Sequence, residues 1–331
     1  MSYDTSRKKV AVLAGGYSDE AVISMQSAAT VMEHLDRNLY DPLLVQIDKD
    51  NWWVHTDDYP SIKKEDFTFI NHSGDLVKFD SVFIMVHGTP GEDGILQEYF
   101  EKLNLPITTG SSYSVSGTFN KFGTTSKLRD AGFKVGDSIE IDSLSEASSH
   151  NYLEISQKIG LPCFVKPNQG GSSLGISKIL KVEDLQDAVQ SAIDTGCPSV
   201  IIESLLEGRE FSMGVIPDKD GDPTAMPITE IVTENEFFDY EAKYEGASDE
   251  ITPADLEERF AEKMQESGVK AYKLLGCRGM ARIDFILCED EPAILEVNTV
   301  PGFSKMSILP QQLKCAGISI KEMLTRVLEQ A

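Results

Sequence analysis

The stretch Gly279–Gly302, GMARIDFILCEDEPAILEVNTVPG, holds two apolar runs joined by a short acidic link. Runs of that length, separated by a few turn-forming residues, predict a β-hairpin. A turn centred on Asp290 sets Asp284 opposite Glu296, Arg282 opposite Asn298 and Ile286 opposite Ile294. Side chains alternate along a strand with period two, so Asp284, Glu296 and Asn298 share a face. That face passes from apolar to densely polar towards the open end of the hairpin. Two carboxylates directly across from each other repel, and Arg282 is a single positive charge against them. A divalent metal ion restores the balance. Oxygen ligands with positions left open for phosphate are the set that Mg²⁺ favours. The plainer alternative is an exposed hairpin with a solvated acidic face. The flanking runs are too apolar for that, and VNTVPGF continues as a Gly/Pro loop, so the metal reading is preferred.

The whole chain sets bounds on this reading. Its 331 residues, 41% hydrophobic, suffice for a sizeable core and for two or three domains. A formal net charge of −24 disfavours nucleic acid and anionic membrane as partners. It leaves room for a nucleotide held locally by a few lysines and backbone amides. No apolar run reaches the ~18 residues of a membrane span. The opening MSYDTSRKKVAVLAGG reads as a first strand and not a signal peptide. The five cysteines are scattered, odd in number and without a CxxC pair, as expected of free thiols in a reducing cytoplasm.

The first third alternates strand, loop, helix and strand, the opening of an α/β domain. Its Gly15-Gly16 turn lacks both GxGxxG and GxxxxGK[ST], so neither a dinucleotide fingerprint nor a P-loop is present. A buried strand, VFIMVHG, then leads through His87-Gly88-Thr89-Pro90-Gly91-Glu92-Asp93-Gly94 into a helix from Ile95. Loops of this kind bind ligands in α/β folds, although Glu92 and Asp93 could simply complement the helix dipole. In the middle third, CFVK and ISKIL flank a loop with Gly170, Gly171, Ser172, Ser173 and Gly175. Its amides and hydroxyls suit phosphate, with Lys166 adding a positive charge. SVIIESLLEGREFSMGV reads as strand, tight link, strand, bracketed by Glu203 and Glu210. In the last third, a polar segment from Glu245 to Pro253 is a candidate mobile loop. Thr252 is then expected to cap a helix with Pro253 at its first position.

Together these pieces resemble the D-alanine–D-alanine ligases of the ATP-grasp superfamily, over nearly the whole chain. HGTPGEDGILQ and the span from Arg282 through IDFI to LEVNTVPG match the family's signatures, and GGYSDEAVIS, VKPNQGGSSLG and DYEAKY match further segments in the same order. The resemblance implies an α/β fold of three domains: an N-terminal parallel-sheet substrate domain (1–110), a central ATP-grasp domain with the Gly/Ser phosphate loop (111–204) and a C-terminal ATP-grasp domain with the metal site (205–331). It implies an enzyme that joins two D-alanines with ATP for peptidoglycan precursors, with D-lactate or D-serine as the alternative second substrate. A homodimer in the cytoplasm is expected on the same ground.

The resemblance also implies roles. Asp284, Glu296 and Asn298 bind two Mg²⁺ (or Mn²⁺) ions that bridge the ATP phosphates. Lys121 and Lys166 contact phosphates, together with Ser172 and Ser173. Glu203, the backbone near Leu206, and Glu210 hold adenine and ribose, and Lys243 serves nucleotide and substrate. Glu20 pairs with the ammonium of the first D-alanine, with His87 nearby. Arg282 and the Gly302 amide stabilise the oxyanion, Ser307 receives the second D-alanine's carboxylate, and Ser172 and Tyr244 link to Glu20 to latch the loop. Three positions depart from many relatives: Val22 and Asn120 stand where an acidic residue is common, and Met306 where His or another polar residue is common.

Overall fold

The structure, a computed structural model, describes residues 7–143, 147–170, 175–233 and 248–331. Ser172, Ser173, Lys243 and Tyr244, and residues 245–247 at the start of the polar segment, lie outside the described residues.

The chain opens with β1 (Lys8–Gly15), α1 (Ala21–His34), β2 (Tyr40–Ile47) and β3 (Trp52–Val54). A short hairpin of β4 (Phe69–Ile70) and β5 (Leu76–Val77) precedes β6 (Ser81–Ile84). The first sheet has the order β3-β2-β1-β6, with β1 parallel to both β2 and β6. The run Val10–Ala14 is apolar throughout and fully buried, as expected of a parallel strand covered on both faces. Three helices follow: α2 (Ile95–Lys102), α3 (Ser112–Phe119) and α4 (Lys121–Asp130).

The second sheet takes β7 (Ser138–Asp142), then α5 (Tyr152–Ile159), β8 (Cys163–Pro167), β9 (Ser177–Ile179), α6 (Leu185–Ile193) and β10 (Ser199–Ser204). Its strand order is β7-β10-β8-β9, antiparallel throughout. Val165, Leu185, Val189, Val200 and Ile202 form its core.

The third sheet comprises β11 (Arg209–Pro217), β12 (Pro223–Ala225), β13 (Thr229–Thr233) and β14 (Ser248–Ile251). After α7 (Glu258–Leu275) it is completed by β15 (Ala281–Cys288) and β16 (Glu291–Asn298), and α8 (Ile308–Cys315) and α9 (Ile320–Glu329) follow. The order is β14-β13-β11-β15-β16, with β12 paired to β11. One face is apolar: Phe211, Met213, Ile283 and Phe285 pack on Phe260, Met264 and Tyr272 of α7. Leu128 of α4 joins that core. The other face carries Glu210, Ser212 and Gly214 of β11 beside Ile286, Asp284 and Arg282 of β15. A separate core unites the first sheet with the last helices, since Val10, Val12 and Val31 pack with Leu313, Met323 and Leu324.

Three sequence expectations need correction. Ile286 faces Ala293 and not Ile294. The turn is the two-residue Glu289–Asp290 link between the paired Cys288 and Glu291, with Glu289 at φ +54°. A bulge between Asp284 and Phe285 then shifts the register by one, so that Asp284 does face Glu296 and Arg282 does face Asn298. Thr252 caps no helix: its hydroxyl bonds Thr229 Oγ1 (2.7 Å), Ala254 N donates to Ile228 O (2.9 Å), and α7 starts only at Glu258. Finally, β10 and β11 do not pair, because their link passes from the second sheet to the third.

Candidate active site

The three sheets converge on one pocket, whose lining includes Glu20, His87, Lys121, Lys166, Arg282, Glu296, Asn298 and Gly302. Sequence-distant residues meet there from helix starts (Glu20, Lys121), from the second sheet (Lys166) and from the polar face of the third sheet.

On that face the guanidinium of Arg282 clasps Asp284, with Nε 2.9 Å from Oδ1 and Nη2 2.8 Å from Oδ2. The same Nη2 lies 3.5 Å from Glu296 Oε1. Asn298 Nδ2 donates to Glu296 Oε1 at 3.2 Å and to Asp284 Oδ2 at 3.4 Å. Ser212 Oγ, buried beneath, donates 2.6 Å to Asp284 Oδ1. Arg282 and Asn298 thus relieve the repulsion between the two carboxylates. The donor set is hard and oxygen-rich: two carboxylates and an amide whose oxygen faces the same group once rotated. This chemistry fits a divalent cation. Among the described residues no group of three His, Cys, Asp or Glu side chains could hold a metal ion.

The bulge also decides what stands beside the acids. Leu295 packs with Leu206 against Ile286, Cys288 and Ala293. An apolar floor therefore adjoins the carboxylates, matching the apolar-to-polar passage expected of the hairpin.

On the second sheet, Lys166 Nζ pairs with Glu203 Oε2 at 2.6 Å, both residues buried. Lys121 Nζ donates to Gly170 O at 2.7 Å. Asn168, missed from the sequence, anchors this arrangement. Fully buried, it accepts from Phe122 N (2.8 Å) and donates to Glu140 and Ser199 (2.8 and 2.9 Å), fixing the start of α4 on the sheet. Asn120 is the N-cap of α4, its Oδ1 accepting from Gly123 N. Asn and Asp cap helices about equally well, so this departure leaves the helix start intact.

At the first sheet, Glu20 sits at the N-terminus of α1. Gly88, at φ +63°, lies against it: a Cβ there would stand 2.7 Å from Glu20 Oε2. His87 is buried and bridges two loops. With the Nδ1 proton assigned towards Val300 O (2.8 Å), Nε2 accepts from Ser27 Oγ (3.0 Å), and Ser27 Oγ accepts from Phe303 N (3.0 Å). Burial pushes its pKa down to about 4, so the ring is neutral. Glu92 was also missed in the sequence. It turns inward, accepts from Gly88 N (2.8 Å) and Val300 N (3.3 Å), and burial together with Glu20 raises its pKa to about 8. The only sequence signal was an acidic residue inside a Gly-rich loop, which equally suits a helix dipole.

Ser307 and Ser304 hydroxyls bond each other (2.9 Å), with Ser307 Oγ also accepting from Ser304 N (3.0 Å), at the start of α8 and near Gly302. Leu206 lies on the apolar floor, and it is outside the residues that line the pocket, as are Glu203, Glu210, Asp284 and Ser307. Val22 and Met306 are exposed.

A parallel-sheet domain beside two antiparallel sheets, closing on a pocket of lysines and carboxylates, defines an ATP-grasp enzyme. Residues 9–111 match the family model of the D-ala D-ala ligase N-terminus, and residues 128–329 that of the C-terminus. The chain is 44% identical to the D-alanine–D-alanine ligase of Christiangramia forsetii, over 98% of both chains. It is 43% identical to that of Flavobacterium johnsoniae, over 97% of this chain and 98% of the relative. Among solved structures it resembles the VanG D-Ala:D-Ser ligase of Enterococcus faecalis (TM-score 0.87, 29% identity, 98% and 99% of the two chains). It also resembles the Bacillus anthracis D-alanine–D-alanine ligase complexed with ATP (TM-score 0.77, 26% identity, 97% and 96%). The chain belongs to the D-alanine–D-alanine ligase family.

Proposed function

We propose that this pocket joins two D-alanines into D-alanyl-D-alanine at the expense of ATP, and that the residues gathered in it do so in the roles set out below. The observation that carries the reading is the convergence of Glu20, Lys121, Lys166, Arg282, Glu296, Asn298 and Gly302 on one cavity from three sheets.

A carboxylate is a poor electrophile. The first D-alanine therefore attacks the γ-phosphorus of ATP, the bond to ADP breaks, and an acyl phosphate forms. Asp284, Glu296 and Asn298 would hold two Mg²⁺ (or Mn²⁺) ions, which when bound supply neutralisation of phosphate charge. Lys121 and Lys166 add positive charge beside the phosphates. Glu203, Leu206 and Glu210 take the adenine and ribose, on the apolar floor that Leu295 extends. Ser172, Ser173 and Lys243 complete the nucleotide site. Glu20 binds the ammonium of the first D-alanine, and neutral His87 holds the adjacent loops without adding a competing charge. The amine of the second D-alanine then attacks the acyl carbon. Arg282 and the Gly302 amide stabilise the oxyanion, phosphate leaves, and the peptide remains. Ser307 takes the second substrate's carboxylate, and Tyr244 with Ser172 and Glu20 shields the acyl phosphate from water.

The three-domain division at 1–110, 111–204 and 205–331 serves this cycle. The α3–α4 pair lies at its first boundary, with Leu128 in the core of the third sheet. Among the described residues no helix is long and apolar enough to cross a membrane. We assign the protein to the cytoplasm as a homodimer supplying peptidoglycan precursors. The testing experiment is phosphate release with ATP, Mg²⁺ and D-alanine, with D-serine and D-lactate as competing second substrates. Release with D-alanine alone is expected. Release only when D-serine or D-lactate is added assigns the alternative, and no release with any of them sinks the reading.

A further inference from the structure

The polar face of the third sheet extends beyond the pocket to its edge strand. Glu250 of β14 pairs with Ile231, Ile231 with Glu210, and Glu210 with Ile286, so these side chains stand on the face that carries Arg282 and Asp284. The reaction above makes no use of Glu250. Its Oε2 accepts from Gln311 Nε2 at 2.6 Å, and the same nitrogen donates to the Met306 carbonyl at 3.1 Å. Burial raises the Glu250 pKa, while Gln311 and the charge of Arg282 oppose that shift.

The neighbouring Gln312 shows what Gln311 is not needed for. Fully buried, Gln312 donates to Ser212 O (2.9 Å) and Thr229 Oγ1 (3.0 Å) and accepts from Gly214 N (2.8 Å). These bonds seat α8 on β11 and β13. What Gln311 holds instead is the Met306 peptide, inside a turn closed by Ser307 N to Ser304 O (2.9 Å). Both hydrogens of one amide nitrogen are committed, one to the sheet edge and one to the turn.

We propose that Glu250, acting through Gln311, is a positioning residue for the second amino acid: it holds the Ser304–Ser307 turn at the spacing from Arg282 that the acceptor's amine and carboxylate must span. This rests on the role of Ser307 given above. The acceptor is a small D-amino acid whose carboxylate lies at the turn.

The test compares the unaltered protein with Glu250→Gln, Glu250→Leu and Gln311→Leu in two assays. One supplies ATP, Mg²⁺, D-alanine and excess hydroxylamine and measures D-alanyl hydroxamate, which needs only the first D-alanine. The other measures D-alanyl-D-alanine against D-alanine concentration. In Glu250→Leu and Gln311→Leu the KM for the acceptor D-alanine should rise about tenfold, as expected for losing a hydrogen bond to a charged group. Hydroxamate formation and kcat should stay near those of the unaltered protein. Glu250→Gln keeps an accepting oxygen and should recover most of the affinity. An unchanged acceptor KM in Gln311→Leu overturns the proposal, as does an equal loss in both assays. If the unaltered protein forms neither product, it is the reading of the reaction that fails.

Discussion

The two ends of the pocket handle buried charge in opposite ways. On the third sheet, Asp284 and Glu296 are balanced by another charge, the guanidinium of Arg282 at 2.8 and 3.5 Å. At the loops of the first sheet, charge is removed. Burial holds His87 neutral with a pKa of about 4 and keeps Glu92 protonated with a pKa of about 8. The sheet end is thereby ready to exchange one cation for another. The loop end also holds Glu20, against Gly88, the acid to which the proposed reaction gives the substrate ammonium. A buried charge needs a partner or must be neutralised, and this pocket uses both solutions.

The largest effect expected from disturbing this contrast is at the sheet end. Asp284→Asn and Glu296→Gln should each lower turnover by ~10³-fold, because each removes a charge that the proposed reaction sets beside the phosphates. Their stabilities should differ. Asp284 is buried and clasped by Arg282 and Ser212, so Asp284→Asn should lower the melting temperature in EDTA. Glu296 is less buried and meets Arg282 at the longer 3.5 Å, beside the Asn298 amide at 3.2 Å, and Glu296→Gln should melt closer to the parent. This differs from the expectation for two bare repelling acids, under which neither change costs stability. Equal melting of the two variants would show that the clasp is absent in solution.

Next in size, Gln312→Leu should destabilise the protein by ~3 kcal/mol, since it leaves Gly214 N and Ser212 O without their partner. A urea midpoint within error of the parent would remove Gln312 as the anchor of α8. A smaller effect, about tenfold in product ratio, is expected from Tyr244→Phe, which removes the phenol hydroxyl that the proposed latch would use. The ester-to-peptide ratio with competing D-lactate should rise, most clearly at acidic pH, where the amine nucleophile is largely protonated and the hydroxyl is not. A ratio unchanged across pH would make Tyr244 an aromatic anchor only.

The smallest effect belongs to the loop end. Between its ordinary value of 4.5 and about 8, folded Glu92 keeps a proton that the unfolded chain releases. Its contribution to stability is thus present at low pH and lost as pH rises through that window. His87 acts in the opposite sense between about 4 and its ordinary 6.5, where stability is lost as pH falls. The decline due to Glu92 should therefore stand out between pH 6.5 and 8. Glu92→Gln should flatten it, by ~2–4 °C in melting temperature. A parent and variant falling in parallel over that range would mean that Glu92 is ionised at neutral pH.

Much of the sheet end was legible in the sequence, because alternation along a strand writes its faces directly. Asp284, Glu296 and Asn298 fall on one face by parity, and Arg282 is i−2 to Asp284. The pairing of Ile286 was not legible, since a two-residue turn with a bulge and a longer turn without one leave the same polar pairs. The loop end was hidden for another reason. Glu92 meets the amide of Val300, 208 residues away, and no local pattern encodes that meeting. Gln311 and Gln312 were invisible because polar residues in an amphipathic helix read as surface, whereas here they face the polar side of a sheet. The capping pattern at Thr252 misled because Thr229 competes for its hydroxyl.

The bulge in the β15–β16 hairpin works as a slack link. It uncouples the length of the turn from the alignment of Asp284, Glu296 and Asn298. One residue added at Glu289–Asp290 could be absorbed by straightening at Leu295, leaving Asp284 still across from Glu296. The same slack sets Leu295 and Glu296, neighbours in sequence, towards the same pocket. A greasy surface and a charged one are thus joined at a single peptide bond.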